Sequence, residues 1–306
     1  MLRPLVLLML LASSTADVRS QTHSPHAQST THDRQYWRDI ARNRYAVPQG
    51  EEIFALAQEL SGYLGSPDPE LRDDLAYTIL DVWLRHQNDW TNEQLVTLLD
   101  KWQSNLQTNI GETHTDSIFR RSFSALCLAN LANRDLKKPF LTEEQYQKLL
   151  GNALKYLADE RDVQGFDPVK GWIHSTAHTA DLLTSLAQNR RLKQEDQSRI
   201  LQATSERLST AHQVYTYGEQ DRLALTVTSI VSRQDFAAAI FHRWIINLNE
   251  LDGNVWKRSP PDDNMLKTYQ NNSYMLQALV ARLYAQPRTP TISAALDEIT
   301  AVLAKR

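Results

Sequence analysis

A chain of 306 residues with a formal net charge of −3 and interspersed acidic and basic side chains has no basic patch, which argues against nucleic acid or an anionic membrane surface as partners. Its one cysteine, Cys127, rules out an internal disulfide, so stability has to come from a buried core. Nine glycines are few for the turns of a β-rich protein, and helix is the economical architecture.

At the start of the chain, Arg3, the apolar run Leu5 to Leu11 and the small residues Ser14-Thr15-Ala16 follow the order of a secretory signal, assigned to residues 1–16. The run is too short to anchor a helix across a bilayer, and no other stretch of about twenty apolar residues occurs. The mature protein is therefore predicted to be periplasmic or secreted, without membrane insertion once the signal is removed. No cysteine follows the run, which disfavours a lipoprotein. Residues 17–33 are polar and lack apolar periodicity, so a flexible leader is expected, with His23, His26 and His32 solvated.

Residues 34–306 read as a single helical-repeat domain. Thr91 with Gln94, and Thr142 with Gln145, match capping boxes, and Ser66-Pro67-Asp68-Pro69-Glu70 announces another helix start. The period predicts helices near 34–46, 51–64, 68–87, 91–106, 115–133, 142–160, 171–189, 194–211, 218–233, 235–251, 264–285 and 290–305. Charged helices alternate with helices that carry long uncharged runs: Ser122 to Asn133, Gly171 to Thr179, Leu182 to Asn189, Leu223 to Ser232 and Asn271 to Val280. Markers in the second set, Asp73, Arg121, His174, Asp221 and Asn271, lie 48, 53, 47 and 50 residues apart. A helix apolar nearly all round has to be covered on both sides, so each repeat supplies one inner and one outer helix. The predicted fold is all-α: helical hairpins stacked as a HEAT-like α-solenoid or an α/α array.

In such an array the equivalent ends of the inner helices fall along one rim. There the sequence places Asp73 and Asp74, Arg120 and Arg121, His174, and Glu219 with Asp221 and Arg222 as a candidate polar cluster, and Glu160 is a further candidate for the same cavity. On a helix running from Gly171, the side chains of His174, His178, Asp181 and Ser185 would share an arc of roughly 60°. No Lys or Glu occurs between Gly171 and Asn189, so the stripe is expected to face a groove or pocket rather than bulk water. Two histidines four apart with an acid three further on are a candidate zinc set, although HExxH is absent. Alternatively, His178 and Asp181 form an acid/base pair adjusted by Glu160, Asp162 or Glu219, or the three side chains only fix helix register. Trp172 is a candidate stacking surface for a ligand. Signatures of common enzyme classes, GxSxG, GxGxxG, GxxxxGK[ST] and CxxC, are missing. Cys127, in an uncharged helical run, reads as a buried hydrophobe.

The string Gly171-Trp172-Ile173-His174 through Ala177-His178 to Ala180-Asp181-Leu182-Leu183 follows a GW-x-H-x-x-AH-x-ADLL pattern. With Leu71 to Ile79, Arg121 to Leu126 and Glu219 to Ala224, it resembles the bacterial domain-of-unknown-function family numbered 2785, over about Leu71 to Trp244. The resemblance implies no activity. It implies a domain whose motifs sit on the inner helices. Two functions remain open from sequence: a module binding a small molecule or peptide in a concave polar groove through Trp172, His174, His178 and Asp181, or an envelope hydrolase using the same cluster. No cofactor is required by the pattern, and zinc is the one it admits.

Overall fold

The computed structural model describes residues 32–252, 255–257 and 259–306; the expected signal and the leader up to residue 31, with His23 and His26, lie outside the described residues. Helices α1 (Arg34–Arg42) and α2 (Ile53–Tyr63) lead into a π-helical segment, Glu70–Tyr77, that runs directly into α3 (Thr78–His86). Then follow α4 (Asn92–Asn105), α5 (Ser117–Lys137) and α6 (Glu143–Asp159). A two-stranded antiparallel hairpin, β1 (Phe166–Asp167) and β2 (Gly171–Trp172), precedes α7 (Ser175–Ala187). The chain continues through α8 (Gln194–Thr210), α9 (Glu219–Val231), α10 (Ala238–Asp252), α11 (Asp263–Tyr284) and α12 (Pro290–Leu303).

Local chemistry sets the boundaries. Both capping boxes form: Thr91 Oγ1 accepts the Gln94 amide at 3.2 Å while Gln94 Oε1 accepts the Thr91 amide at 3.0 Å, and Thr142 and Gln145 repeat the exchange. Asp33, Asp262 and Thr289 cap α1, α11 and α12. The predicted 68–87 helix is one rod whose first half is widened, with the Thr78 amide reaching Asp73 O five residues back.

The long helices sort into two layers. The rod ending in α3, then α5, α7, α9 and α11, pack on one another in chain order, while α4, α6, α8 and α10 cover them. Burial follows: 12 of 13 residues of α7 and 15 of 21 of α5 are buried, against 5 of 14 of α4 and 6 of 17 of α6, so the uncharged runs do mark inner helices. Only 8 of 22 residues of α11 are buried, because it stands near the end of the row with fewer neighbours. Among the described residues the row runs on to α11, which packs on α8, α9, α10 and α12, and no packing of comparable extent joins the row's two ends. The row is bent, since Tyr77 before α3 and Arg222 on α9 border the same cavity although α5 and α7 lie between them.

One predicted element is corrected. The helix expected to start at 171 starts at Ser175, because Gly171 (φ 76°) and His174 (φ 48°) take left-handed conformations that a right-handed helix cannot contain. At Gly171 a Cβ would also sit 3.0 Å from the Pro69 side chain, so the hairpin can lie against the π segment only with glycine there.

Candidate functional site

The concave side of the inner row holds a groove of about 390 Å³ whose wall includes His178, Asp181 and Ser185 of α7. It takes Tyr77 and Arg85 from the first inner rod, Asn130 and Asn133 from α5, and Arg222 from α9. His174 is not on the helix with its three presumed stripe partners. Its ring lies beside them, 5.7 Å from that of His178 and stacked at 4.3 Å on Trp172.

His178 is buried, and its hydrogen bonds fix its tautomer. Ser122 Oγ carries a single proton and gives it to the carbonyl of Ile173, an acceptor only. The 2.8 Å contact between Ser122 Oγ and His178 Nδ1 must then be Nδ1–H donating to the hydroxyl. His178 Nε2 is left as a bare lone pair on a residue that borders the groove, with no hydrogen bond to it among the described residues. Ser122 is fully buried with its proton committed, so this pair is no nucleophile and base. Burial, followed by the charges of His174 and Arg222, holds the His178 ring well below its ordinary pKa.

His174 is the mirror case. Its Nε2 lies 3.2 Å from Tyr217 O and so carries the proton, with Glu219 Oε1 at 3.9 Å. Burial depresses its pKa to about 4. Glu219 is buried, accepts the Tyr217 amide at 3.0 Å, and is pushed up by burial. Phe166, Trp172 and Tyr217 gather around the hairpin, their rings between 4.9 and 6.3 Å apart. Gly165 is required beneath them, since a Cβ there would meet Tyr217 at 2.4 Å and Glu219 at 2.5 Å.

Asp181 pairs with Arg222 at 2.5 Å across α7 and α9, and burial nonetheless raises its carboxyl above the ordinary range. Asp221, one residue from Arg222, turns the other way and pairs with Arg282 of α11. Arg121 and Glu160 sit apart from the groove in a sealed ion pair, Nε to Oε2 at 2.6 Å, with both side chains at most 2% exposed. Asp73, half-buried beside Arg72 and raised by that burial, is not among the groove's lining residues. The expected rim cluster is thus divided: His178 and Asp181 in the groove, Trp172, His174 and Glu219 beside the hairpin and outside the groove's lining, Arg121 with Glu160 sealed, and Asp221 paired toward α11. Among the described residues no group of three or more His, Cys, Asp or Glu side chains is placed to hold a metal ion.

Sequence reasoning passed over Asn130 and Asn133, which lie three apart within an uncharged inner run and so share a helix face; that spacing was the signal. It also passed over Ser122, Tyr77 and the hairpin aromatics Phe166 and Tyr217.

Stability should fall on acidification. Both histidines are depressed in the folded protein, so between the unfolded value near 6.5 and about 4 the unfolded chain binds more protons. Stability rises with pH across that window and is lost as pH drops through it, opposed by the raised carboxyls Asp73, Asp181 and Glu219. Melting temperatures taken from pH 7 to 5 should decline less steeply in His178→Asn than in the wild type, since the carboxyl contributions are common to both; equal slopes would refute the burial of a neutral His178.

Fold and site together define an all-α array of paired helices with a polar groove along its inner row. Residues 106–281 match the family described as Protein of unknown function (DUF2785), and the chain belongs to that family. No match is found among curated proteins or among solved structures.

Proposed function

We propose that this protein is an exported binding module that takes a small ligand or peptide in the concave groove. The observation that carries the reading is His178 Nε2, a lone pair kept unprotonated at neutral pH and hydrogen-bonded to nothing among the described residues, on a side chain that lines the groove with the Asp181–Arg222 pair. Such a nitrogen accepts from a ligand hydroxyl or N–H, and Arg222 of α9 offers donors in the same groove.

The same nitrogen supports a second reading, a hydrolase in which His178 is the general base for a bound water. Its depressed basicity makes it a weak one, which is why binding is preferred. Zinc held by His178 and Asp181 with a ligand atom would serve either reading.

His178→Asn separates these readings from a purely structural role, because the asparagine amide can still donate to Ser122 while Nε2 is lost. A thermal-shift screen of small molecules and short peptides, run with added zinc and with a chelator, should give ligands that stabilise the wild type. The variant should lose that stabilisation while its own stability falls by only about 1 kcal/mol. A fall of about 3 kcal/mol or more with ligand effects intact would assign His178 to helix register alone.

A further inference from the structure

The groove does not end at α7. Gln188 and Leu225 border both it and a larger cavity of about 800 Å³ that continues past α9 to Gln286, just beyond α11. The larger space lacks His178, yet the shared residues make the two one trough that crosses successive inner helices.

The trough's charge runs against that of the chain. Arg85, Arg190, Arg222 and Arg233 border it, with only Asp181 and Asp235 as carboxylates, so it carries +2 where the whole chain carries −3. Both carboxylates are already paired, Asp181 with Arg222 at 2.5 Å and Asp235 with Arg233 at 2.7 Å, and Arg85 is paired with Asp81, outside the lining, at 2.6 Å. Arg190 is exposed and has no partner among the described residues.

Neutral amides mark the way across: Asn130 and Asn133 on α5, Gln188 after α7, Gln234 after α9 and Gln286 after α11. Asn130 is 3% exposed, lies beside the Tyr77 hydroxyl in the groove wall and accepts Arg85 Nη2 at 3.4 Å. Each side-chain amide offers one donor and one acceptor side, as a peptide group does. Packed helices stand about 8–10 Å apart, and three residues of extended chain span about 9–10 Å. A strand laid along the trough therefore places the same position of a three-residue repeat over each inner helix in turn.

Resting on the binding reading above, we propose that the trough takes an extended acidic peptide, its main chain held by the amides and its carboxylates, at about every third residue, by Arg222 and Arg190. The test is fluorescence anisotropy on the full mature chain at low salt, with a labelled peptide of five Gly-Ser-Glu repeats. Its comparators are five Gly-Ser-Gln repeats, a peptide of equal composition with the glutamates in one block, and oligogalacturonate as an anionic sugar chain. The repeating acidic peptide should bind at least about tenfold more tightly than the glutamine peptide and more tightly than the block peptide. Arg190→Gln should weaken it about tenfold with the melting temperature unchanged. Equal binding of the glutamine peptide, preference for oligogalacturonate, or no peptide binding would overturn the proposal. If a ligand from the thermal-shift screen still depends on His178 in that event, only the peptide assignment falls. If peptide binding is insensitive to both Arg190→Gln and His178→Asn, the trough is not the site and both readings fall.

Discussion

Replacing Glu160 by alanine should remove about 3–5 kcal/mol of stability, among the largest losses any single substitution in this chain can produce. Arg121 is fully buried, and Glu160 takes it through both oxygens, from Nε at 2.6 Å and Nη2 at 3.2 Å. The same guanidinium gives its Nη1 to Thr108 O, Asn109 O and Ser117 Oγ, so one cation ties the loop after α4 to α5 and to the end of α6. Burial works against that charge, and Glu160 outweighs it, holding the Arg121 pKa above its ordinary value. Without the carboxylate, the charge stays buried with only neutral acceptors, and the Asp162 amide loses the bond it makes to Glu160 Oε1. Domains of this kind are stable by about 5–15 kcal/mol, so Glu160→Ala should sit close to unfolding at physiological temperature. Removing both charges by Arg121→Met with Glu160→Leu should recover much of the loss, because the desolvation cost disappears with the pair. Urea unfolding of the three proteins decides it: a Glu160→Ala midpoint within about 1 kcal/mol of wild type would mean that water reaches the pair.

The layered fold was legible because its signals are local. The capping boxes at Thr91 and Thr142 and the alternation of charged with uncharged runs need only near neighbours in sequence, and all of them hold. The hairpin before α7 was not legible. Gly171 through Asn189 has the composition of an inner helix, and nothing in it announces that His174 adopts φ 48°. That conformation is fixed by distant partners: Gly165 O, which accepts the Ile173 and His174 amides, and Tyr217 O, which accepts the ring. The site was half legible for the same reason. His178 and Asp181 share a true helix face and reach the groove together. Arg121 and Glu160 are 39 residues apart, and only the packing of α5 against the end of α6 closes their ion pair and withdraws it from the groove. Asp221 and Arg222 are adjacent, so the 100° helical turn between them sends one toward α11 and the other toward Asp181.

Arg72→Met should disorder the hairpin and, through it, the tautomer of His178. Arg72 is fully buried, with its guanidinium 3.9 Å over the ring of Phe119 and 4.8 Å from that of Phe123. It donates to Ser66 O at 2.8 Å, Lys170 O at 2.6 Å and Trp172 O at 3.3 Å, clasping the hairpin to the π segment. Burial brings its pKa down to about 10, so the clasp holds at neutral pH at a cost in desolvation. Methionine keeps the length and the contact with the two rings and removes every donor. The net loss should be about 2 kcal/mol, from charged hydrogen bonds and the cation–π contacts less the desolvation recovered. The effect travels further because Ile173, one residue past the hairpin, supplies the carbonyl that takes the Ser122 proton and thereby sets His178 to Nδ1–H. A hairpin that lifts withdraws that carbonyl, and the Ser122 hydroxyl becomes free to donate to Nδ1 instead, moving the ring proton to the groove side. Hydrogen exchange at the Ile173 and His174 amides should quicken at least about tenfold, the signature of local opening. The His178 ring nitrogens should change from a single Nδ1–H pattern to a mixture in nitrogen NMR, and ligand affinity should drop although Arg72 does not border the groove. Unchanged exchange at both amides together with an unchanged His178 tautomer would break the chain of contacts that links the hairpin to the groove.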